Sequence, residues 1–297
     1  MSDAGSRADV VGLVGLGLVG TALGRRLDAA GIAVLGYDRQ ADARRAWTRA
    51  GGRLADTPRE LGERCRRVVL AVFDTAGVLQ VVEGPEGLLS GKCTTQSIID
   101  CSTGDPQLLQ ALSERMASRS IDFIEAPLSG ASTQIAAGAA TMLLGGDAGA
   151  IARHTPLLDV LAPERIHVGG AGMGARAKLA TNLVLGLNRA ALAEGLVLAE
   201  KLGIAPALFL QLVLATPARS DAALAKGTKM ISGDFEPHSR IRQHVKDLQL
   251  MLAAARTVGQ RLPLTEVHTA LLQAAVAAGD GDLDNAAIVR QLRRETF

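Results

Sequence analysis

Aromatic residues are nearly absent from this chain of 297 residues: they make up 2%, with one Trp, one Tyr and five Phe. The core must therefore be built from Leu, Val, Ile and Ala. Only three cysteines occur, Cys65, Cys93 and Cys101. An odd number with no CxxC pair argues against a disulfide framework or a zinc cluster, and reduced thiols point to a cytoplasmic protein. None of the five histidines falls in an HxxxH or HxxEH pattern, so no metal is expected. No long run of Lys or Arg appears, and 32 basic residues nearly balance 30 acidic ones for a net charge of +2. Nothing in that balance points to nucleic acid or an anionic membrane. No stretch offers about 18 uninterrupted apolar residues, so no membrane span is expected. Residues 1–9 are polar, lack the apolar stretch of a signal peptide, and are expected to be loose.

The rest of the composition is that of an ordinary globular protein, 48% hydrophobic and 21% charged. At roughly 100–200 residues per domain, the length suggests one large or two ordinary domains. Short apolar runs at 10–14, 32–37, 67–73, 97–100, 121–125, 141–145 and 165–168 alternate with helical patterns such as 41–50, 58–65 and 106–118. That alternation predicts βαβ units on a parallel, doubly wound sheet. After Gly169-Gly170-Ala171-Gly172 the pattern changes. From Met173 to about residue 202 there is no proline, and Ala, Leu and Val recur at helical spacing, which predicts a helix of roughly 45 Å. Further helices punctuated by prolines follow. The expected architecture is an α/β domain over 1–170, then an all-helical domain over 171–297.

Gly15-Leu16-Gly17-Leu18-Val19-Gly20 fits GxGxxG, directly after a predicted strand and at the start of a predicted helix. In that context the loop is a dinucleotide fingerprint. Gly15 permits the tight turn, Gly17 lets backbone approach a pyrophosphate, and Gly20 permits close helix–strand packing. The helix N-terminus offers N–H groups and a positive dipole end to the phosphates. The second strand ends at Tyr37-Asp38-Arg39. An acid there, roughly 20 residues past the glycines, accepts hydrogen bonds from the adenosine ribose and repels a 2′-phosphate. Asp38 therefore favours NAD. Arg39 leaves NADP open, because a guanidinium can pair with a 2′-phosphate.

The glycine loop, then Asp100-Cys101-Ser102-Thr103, Glu125-Ala126-Pro127-Leu128-Ser129-Gly130, a segment from Gly172 through Lys178 to Asn182, and Lys246-Asp247-Leu248 follow in this order. The set resembles the β-hydroxyacid dehydrogenases, the 3-hydroxyisobutyrate dehydrogenase-like family, over about residues 10–292. The resemblance implies a Rossmann-type domain that binds NAD or NADP and a long helix leading to an all-α domain. It also implies a homodimer or homotetramer built through that helical domain. By position, Lys178 matches the catalytic lysine and Asn182 the asparagine beside it. Ser129 and Gly130 match the loop that holds a substrate carboxylate. Thr103 and Lys246 match residues near the nicotinamide end, and Val72 stands where the family makes adenine-side contacts. The chain departs from the family where Ala131 follows Gly130 instead of a second glycine, and where Val72-Phe73-Asp74 replaces Leu-Pro.

Lys178 and Asn182 are four apart and so share one helical face. A lysine can give a proton to the oxygen of an aldehyde as hydride reaches its carbon, and take it back in the oxidation of a 3-hydroxyacid. The expected substrate is accordingly a small carboxylate-bearing 3-hydroxyacid or semialdehyde. Two alternatives stand beside this reading. Imine-type reductases of similar fold place an acid or tyrosine where this chain has Lys178. A non-catalytic NAD(P)-binding module would have no need of Lys178, Asn182 and Ser129 together.

Overall fold

The structure, a computed structural model, describes residues 10–295, so the expectation for residues 1–9 lies outside it. Its contacts divide the chain into two compact units that meet between Lys178 and Leu179.

The first unit runs β1 (Val11–Val14), α1 (Leu18–Ala29), β2 (Val34–Tyr37), α2 (Ala41–Arg49), β3 (Arg53–Leu54), α3 (Pro58–Arg64), β4 (Arg67–Leu70), α4 (Thr75–Glu83) and β5 (Ser97–Asp100). It continues through α5 (Pro106–Ala117), β6 (Asp122–Glu125), β7 (Leu128–Ser129), α6 (Ser132–Ala136), β8 (Thr141–Gly145), α7 (Ala148–Leu161) and β9 (Arg165–Gly169). The nine strands form one sheet in the order β3-β2-β1-β4-β5-β6-β8-β7, with β9 beside β8. β1 to β6 pair in parallel. β8 runs antiparallel to both β6 and β7. The sheet is therefore mixed, and the expected parallel arrangement holds only for its first six strands and for β9 on β8.

Successive strand residues point to opposite faces, and here both faces are covered. Leu13, Val69 and Ile99 join Leu23 and Leu27 in one apolar layer. Their chain neighbours Val14, Val68, Leu70 and Ile98 join Leu61, Val78 and Leu112 in another. That explains why β1 and β5 are buried throughout, without polar alternation. The single Trp, Trp47, is seated where three glycines leave room. A Cβ on Gly24, Gly36 or Gly52 would come within 2.4, 3.0 and 2.1 Å of its ring, respectively.

The second unit contains most of α8 (Met173–Lys201), followed by α9 (Pro206–Ala215), α10 (Asp221–Ser232), α11 (Ile241–Thr257), α12 (Pro263–Ala275) and α13 (Ile288–Arg294). Pro206 and Pro263 occupy the first positions of their helices, where a missing N–H is harmless. By length and composition alone, α8 is long and apolar enough to cross a membrane. Its buried positions recur every three or four residues, however, and this stripe carries Lys178, Asn182 and Arg189 among Leu179, Leu192 and Leu196.

That polar content continues through the helical core. Asp284 has no exposed surface. Its oxygens accept from Lys226 Nζ at 2.8 Å and from the backbone N–H groups of Ala286 and His238. Burial opposes its charge, but these donors prevail and hold its carboxyl below the usual range. Burial draws the Arg189 guanidinium down to about 10, so it remains charged at neutral pH. The rings of His244 and His268 meet in a tilted arrangement, with centroids 5.2 Å apart and planes at 52°. Gly186 of α8 makes room for them, since a Cβ there would stand 2.5 Å from His244 Nε2. Burial, aided by the charge of Arg189, depresses His268 to about 4.

Candidate active site

β1 and β4 are neighbours, but the chain leaves β1 for β2 on the other side. This reversal is the place where doubly wound sheets bind ligands, outside the C-terminal ends of their strands. The three glycines of the loop after β1 do separate work. Gly15 has φ +90°, and a Cβ there would stand 2.3 Å from Ala71 O. A Cβ on Gly20 would stand 1.7 Å from Gly15 O. A Cβ on Gly17 would meet nothing within 4 Å. Gly15 and Gly20 are thus demanded by the protein's own packing, whereas Gly17 opens outward.

Gly17 also begins α1 without a side-chain cap. By contrast, Thr57, Asp74, Asp105 and Asp147 cap α3, α4, α5 and α7 through their own side chains. An uncapped helix start beneath an open glycine fits a pyrophosphate. Leu16 and Val19 turn their side chains toward the apolar layer that contains Leu13.

Asp38 follows β2 and is fixed by two backbone donors. Leu16 N–H reaches Oδ2 and Gln40 N–H reaches Oδ1, each at 2.7 Å. The carboxylate therefore ties the glycine loop to the end of β2. Arg44 donates to the carbonyl oxygens of Asp38 and Arg39, bracing the same turn. The Arg39 side chain is exposed. Val72 lies beyond the end of β4, which stops at Leu70 rather than at residue 73, and its N–H donates to Ser102 Oγ. Asp74, part of the departure from Leu-Pro, caps α4 by accepting from Gly77 N–H at 2.8 Å. Thr103 is half-buried just past β5. Leu16, Asp38, Val72 and Thr103 thus all sit at the C-terminal edge of the parallel strands.

Ser129 ends β7, opposite Thr141 of β8. Gly130 has φ +154°, and a Cβ there would press on Ala140 at 2.9 Å. Ala131 has φ −74° and ψ 161°, a conformation open to any residue, and its N–H donates to Gln134 Oε1. The alanine that replaces the second glycine is therefore accommodated without backbone strain.

Lys178 and Asn182 are both buried on α8, one turn apart. In the helical unit Asn182 Nδ2 donates to Asp247 Oδ2 at 3.2 Å. Lys246 Nζ lies 2.9 Å from Asp247 Oδ1. The side chains of Lys246 and Asp247 are only 13% and 8% exposed, so this is not the solvated surface pair that adjacent opposite charges usually make. Asp247 links Asn182 to Lys246, a role that spacing along the chain did not reveal. Its one sequence signal was its place beside Lys246.

The glycine loop at the reversal of a doubly wound sheet defines a dinucleotide-binding fold, and comparisons with known proteins give its class. Residues 10–170 match the NAD binding domain of 6-phosphogluconate dehydrogenase. Residues 172–292 match the NAD-binding region of NADP-dependent 3-hydroxyisobutyrate dehydrogenase. A 2-(hydroxymethyl)glutarate dehydrogenase of Eubacterium barkeri is 31% identical over 94% of this chain and 93% of its own length. The solved 3-hydroxyisobutyrate dehydrogenase of Salmonella typhimurium superposes with a TM-score of 0.84 at 26% identity, covering 95% of this chain and 99% of that one. An imine reductase from Pseudomonas sp., 22% identical over 96% of this chain and 99% of its own, shares the fold with a TM-score of 0.62. The chain belongs to the 3-hydroxyisobutyrate dehydrogenase-like family of NAD(P)-dependent β-hydroxyacid dehydrogenases.

Proposed function

We propose that this protein interconverts a small 3-hydroxyacid and its semialdehyde, with Lys178 as general acid and base. The observation that carries this reading is the buried face of α8, where Lys178 stands one turn from an asparagine anchored on Asp247. A lysine hidden from water serves as a directed proton donor rather than a solvated charge. When bound, the nicotinamide supplies hydride to the carbonyl carbon or accepts it from the alcohol carbon. Gly17 and the start of α1 hold the pyrophosphate. Lys178 gives its proton to the carbonyl oxygen in reduction and takes it from the hydroxyl in oxidation. Asn182 orients the reacting group, and Ser129 with the Gly130 backbone receives the carboxylate. Asp38, held by Leu16 and Gln40, keeps a negative charge at the adenosine end and selects NAD over NADP.

Turnover is read from NADH absorbance across a panel of 3-hydroxyacids and semialdehydes. Lys178→Ala is expected to lower kcat and kcat/KM by about 10²–10⁴ while NADH binding stays unchanged. Lys178→Arg is expected not to rescue, because guanidinium keeps its charge but releases no proton near neutral pH. Near-native turnover in the arginine variant would move the proton donor elsewhere. A lower Kd for NADPH than for NADH would give the cofactor choice to Arg39.

We also propose at least a dimer. Val184, Leu198 and Leu202 of α8 and its end, with Leu208 and Leu212 of α9, are large apolar side chains left about half or more exposed. A long helix that carries large apolar residues outward as well as inward is ordinarily covered by a second subunit. A monomer at micromolar concentration in light scattering would refute it.

A further inference from the structure

The start of α8 has an unusual cap. A helix leaves its first four N–H groups without partners, and a local Ser, Thr, Asp or Asn ordinarily takes one of them. Before α8 the chain reads Gly169-Gly170-Ala171-Gly172, which offers no such side chain. The acceptor comes from 47 residues earlier in the chain. Glu125, the last residue of β6, takes the Gly172 N–H on Oε1 and the Ala175 N–H on Oε2, the latter at 2.7 Å. Its side chain is buried, with 1% of the residue exposed.

Two glycines make this contact possible. Gly145 of β8 pairs with Glu125 across the sheet. A Cβ on Gly145 would stand 2.4 Å from Gly174 N, and a Cβ on Gly174 would stand 2.8 Å from the Glu125 Cβ. The first turn of α8 therefore rests directly on sheet backbone, and the forked carboxylate fixes its rotation as well as its height. Burying that carboxylate is unfavourable. Burial pushes its pKa up and Asp100 on β5 adds to the effect, while the two N–H bonds and Arg176 on α8 oppose it. A partly solvated local cap, such as Asp105 on α5, which accepts from Gln107 and Leu108 N–H, would have satisfied helix donors without this penalty.

The remote carboxylate does what a local cap cannot: it ties the helix start to a particular strand. Lys178 lies three residues beyond Ala175, about 4.5 Å along the axis at 1.5 Å per residue. We infer that Glu125 is a positioning residue, clamping the first turn of α8 to the end of β6 and thereby fixing where Lys178 stands. Its charge has a second effect. It offsets the positive end of the helix dipole, the same field that acts on an ammonium group in the next turn.

The inference rests on Lys178 being the proton-transfer group, and its test separates the two. Glu125→Gln, Glu125→Asp and Lys178→Ala are compared with the unaltered enzyme. In Glu125→Gln, amide exchange at Gly172 and Ala175 is expected to speed up by about tenfold or more, as local opening becomes easier. Its kcat should fall by about 10–100-fold, with KM and the NADH Kd changed less than about threefold. The acid limb of kcat for alcohol oxidation should move to lower pH by roughly half a unit or more, because a neighbouring negative charge is gone. Glu125→Asp keeps that charge on a shorter arm, so its acid limb should stay in place while kcat falls by about tenfold.

Unchanged exchange at both amides overturns the inference. So do unaltered kcat and acid limb in Glu125→Gln when Lys178→Ala is inactive. If Glu125→Gln does not fold, Glu125→Asp decides: native kcat overturns the inference, and lowered kcat with an unmoved limb supports it. If Lys178→Ala turns over normally, the functional reading is what fails, and exchange at Gly172 and Ala175 alone decides whether Glu125 anchors the helix.

Discussion

The two units bury polarity in opposite ways. In the sheet unit, buried polar side chains mostly serve nearby backbone: Asp100 accepts from Ser102 N–H, Thr95 donates to Cys65 O, and Glu125 caps α8. The apolar layers on the two faces of the sheet carry the rest. In the helical unit, buried carboxylates meet cationic side chains. Lys226 pairs with Asp284, Lys246 with Asp247, and Arg290 and Arg294 with Asp280. A backbone partner is supplied by the fold itself, whereas an ion pair needs both side chains in their ionised states. The helical unit should therefore be the more sensitive to lost partners and to acid.

The largest effect is expected from Asp284→Ala. It leaves the Lys226 ammonium buried without its counter-charge, and breaking such a pair costs about 3–5 kcal/mol. Urea denaturation at neutral pH measures it, and a loss below about 1 kcal/mol would erase the contrast between the units.

Acid should sharpen the contrast further. Burial makes folded His268 take its proton only near pH 4, while the unfolded residue takes it at 6.5. Its contribution to stability is complete above pH 6.5 and drains away as pH falls toward 4, about 3 kcal/mol over that window at 1.36 kcal/mol per unit. Glu125 has the opposite sign. Its folded pKa is raised above 4.5, so its favourable contribution is present below 4.5 and is lost as pH rises. Replacing the imidazole, His268→Met, should flatten the acid loss, read as urea midpoints at pH 7 and pH 4.5. An undiminished loss would assign the acid sensitivity to other groups.

The glycine loop gives the finest distinction, within the sheet unit alone. Gly20→Ala drives a methyl into Gly15 O and should cost about 1–3 kcal/mol in stability. Gly17→Ala meets no protein atom and should leave stability within about 0.5 kcal/mol. It should nevertheless weaken NADH binding by about tenfold or more, since the pyrophosphate needs that approach. Equal stability losses in the two variants would show that Gly17 serves packing rather than the ligand.

Much of this was legible in the sequence because local physics writes it there. Buried strands such as Val68-Val69-Leu70 need continuous apolar runs, and α8 advertises itself by its freedom from proline. Gly15 and Gly20 stand where no other residue fits. What was hidden depends on partners distant in the chain. β3 and β7 have two residues each, too few to show a period. The antiparallel pairing of β8 is set by how the chain returns, not by its composition. Asp38 looked like a ribose ligand alone, but it also holds Leu16. Glu125 looked like an ordinary strand end, because its partners lie 47 and 50 residues away.

Trp47, lodged among Gly24, Gly36 and Gly52, gives the protein a built-in optical label. As the chain's single indole, it emits only from the sheet unit, whereas helical dichroism draws heavily on the six helices from α8 to α13. Following one denaturation by both signals therefore shows whether the sheet unit opens in step with the chain's helices as a whole, with no dye attached and no residue replaced. Gly52→Ala would push a methyl into the indole itself, so its first trace should be a shift in emission colour, seen before any change in dichroism.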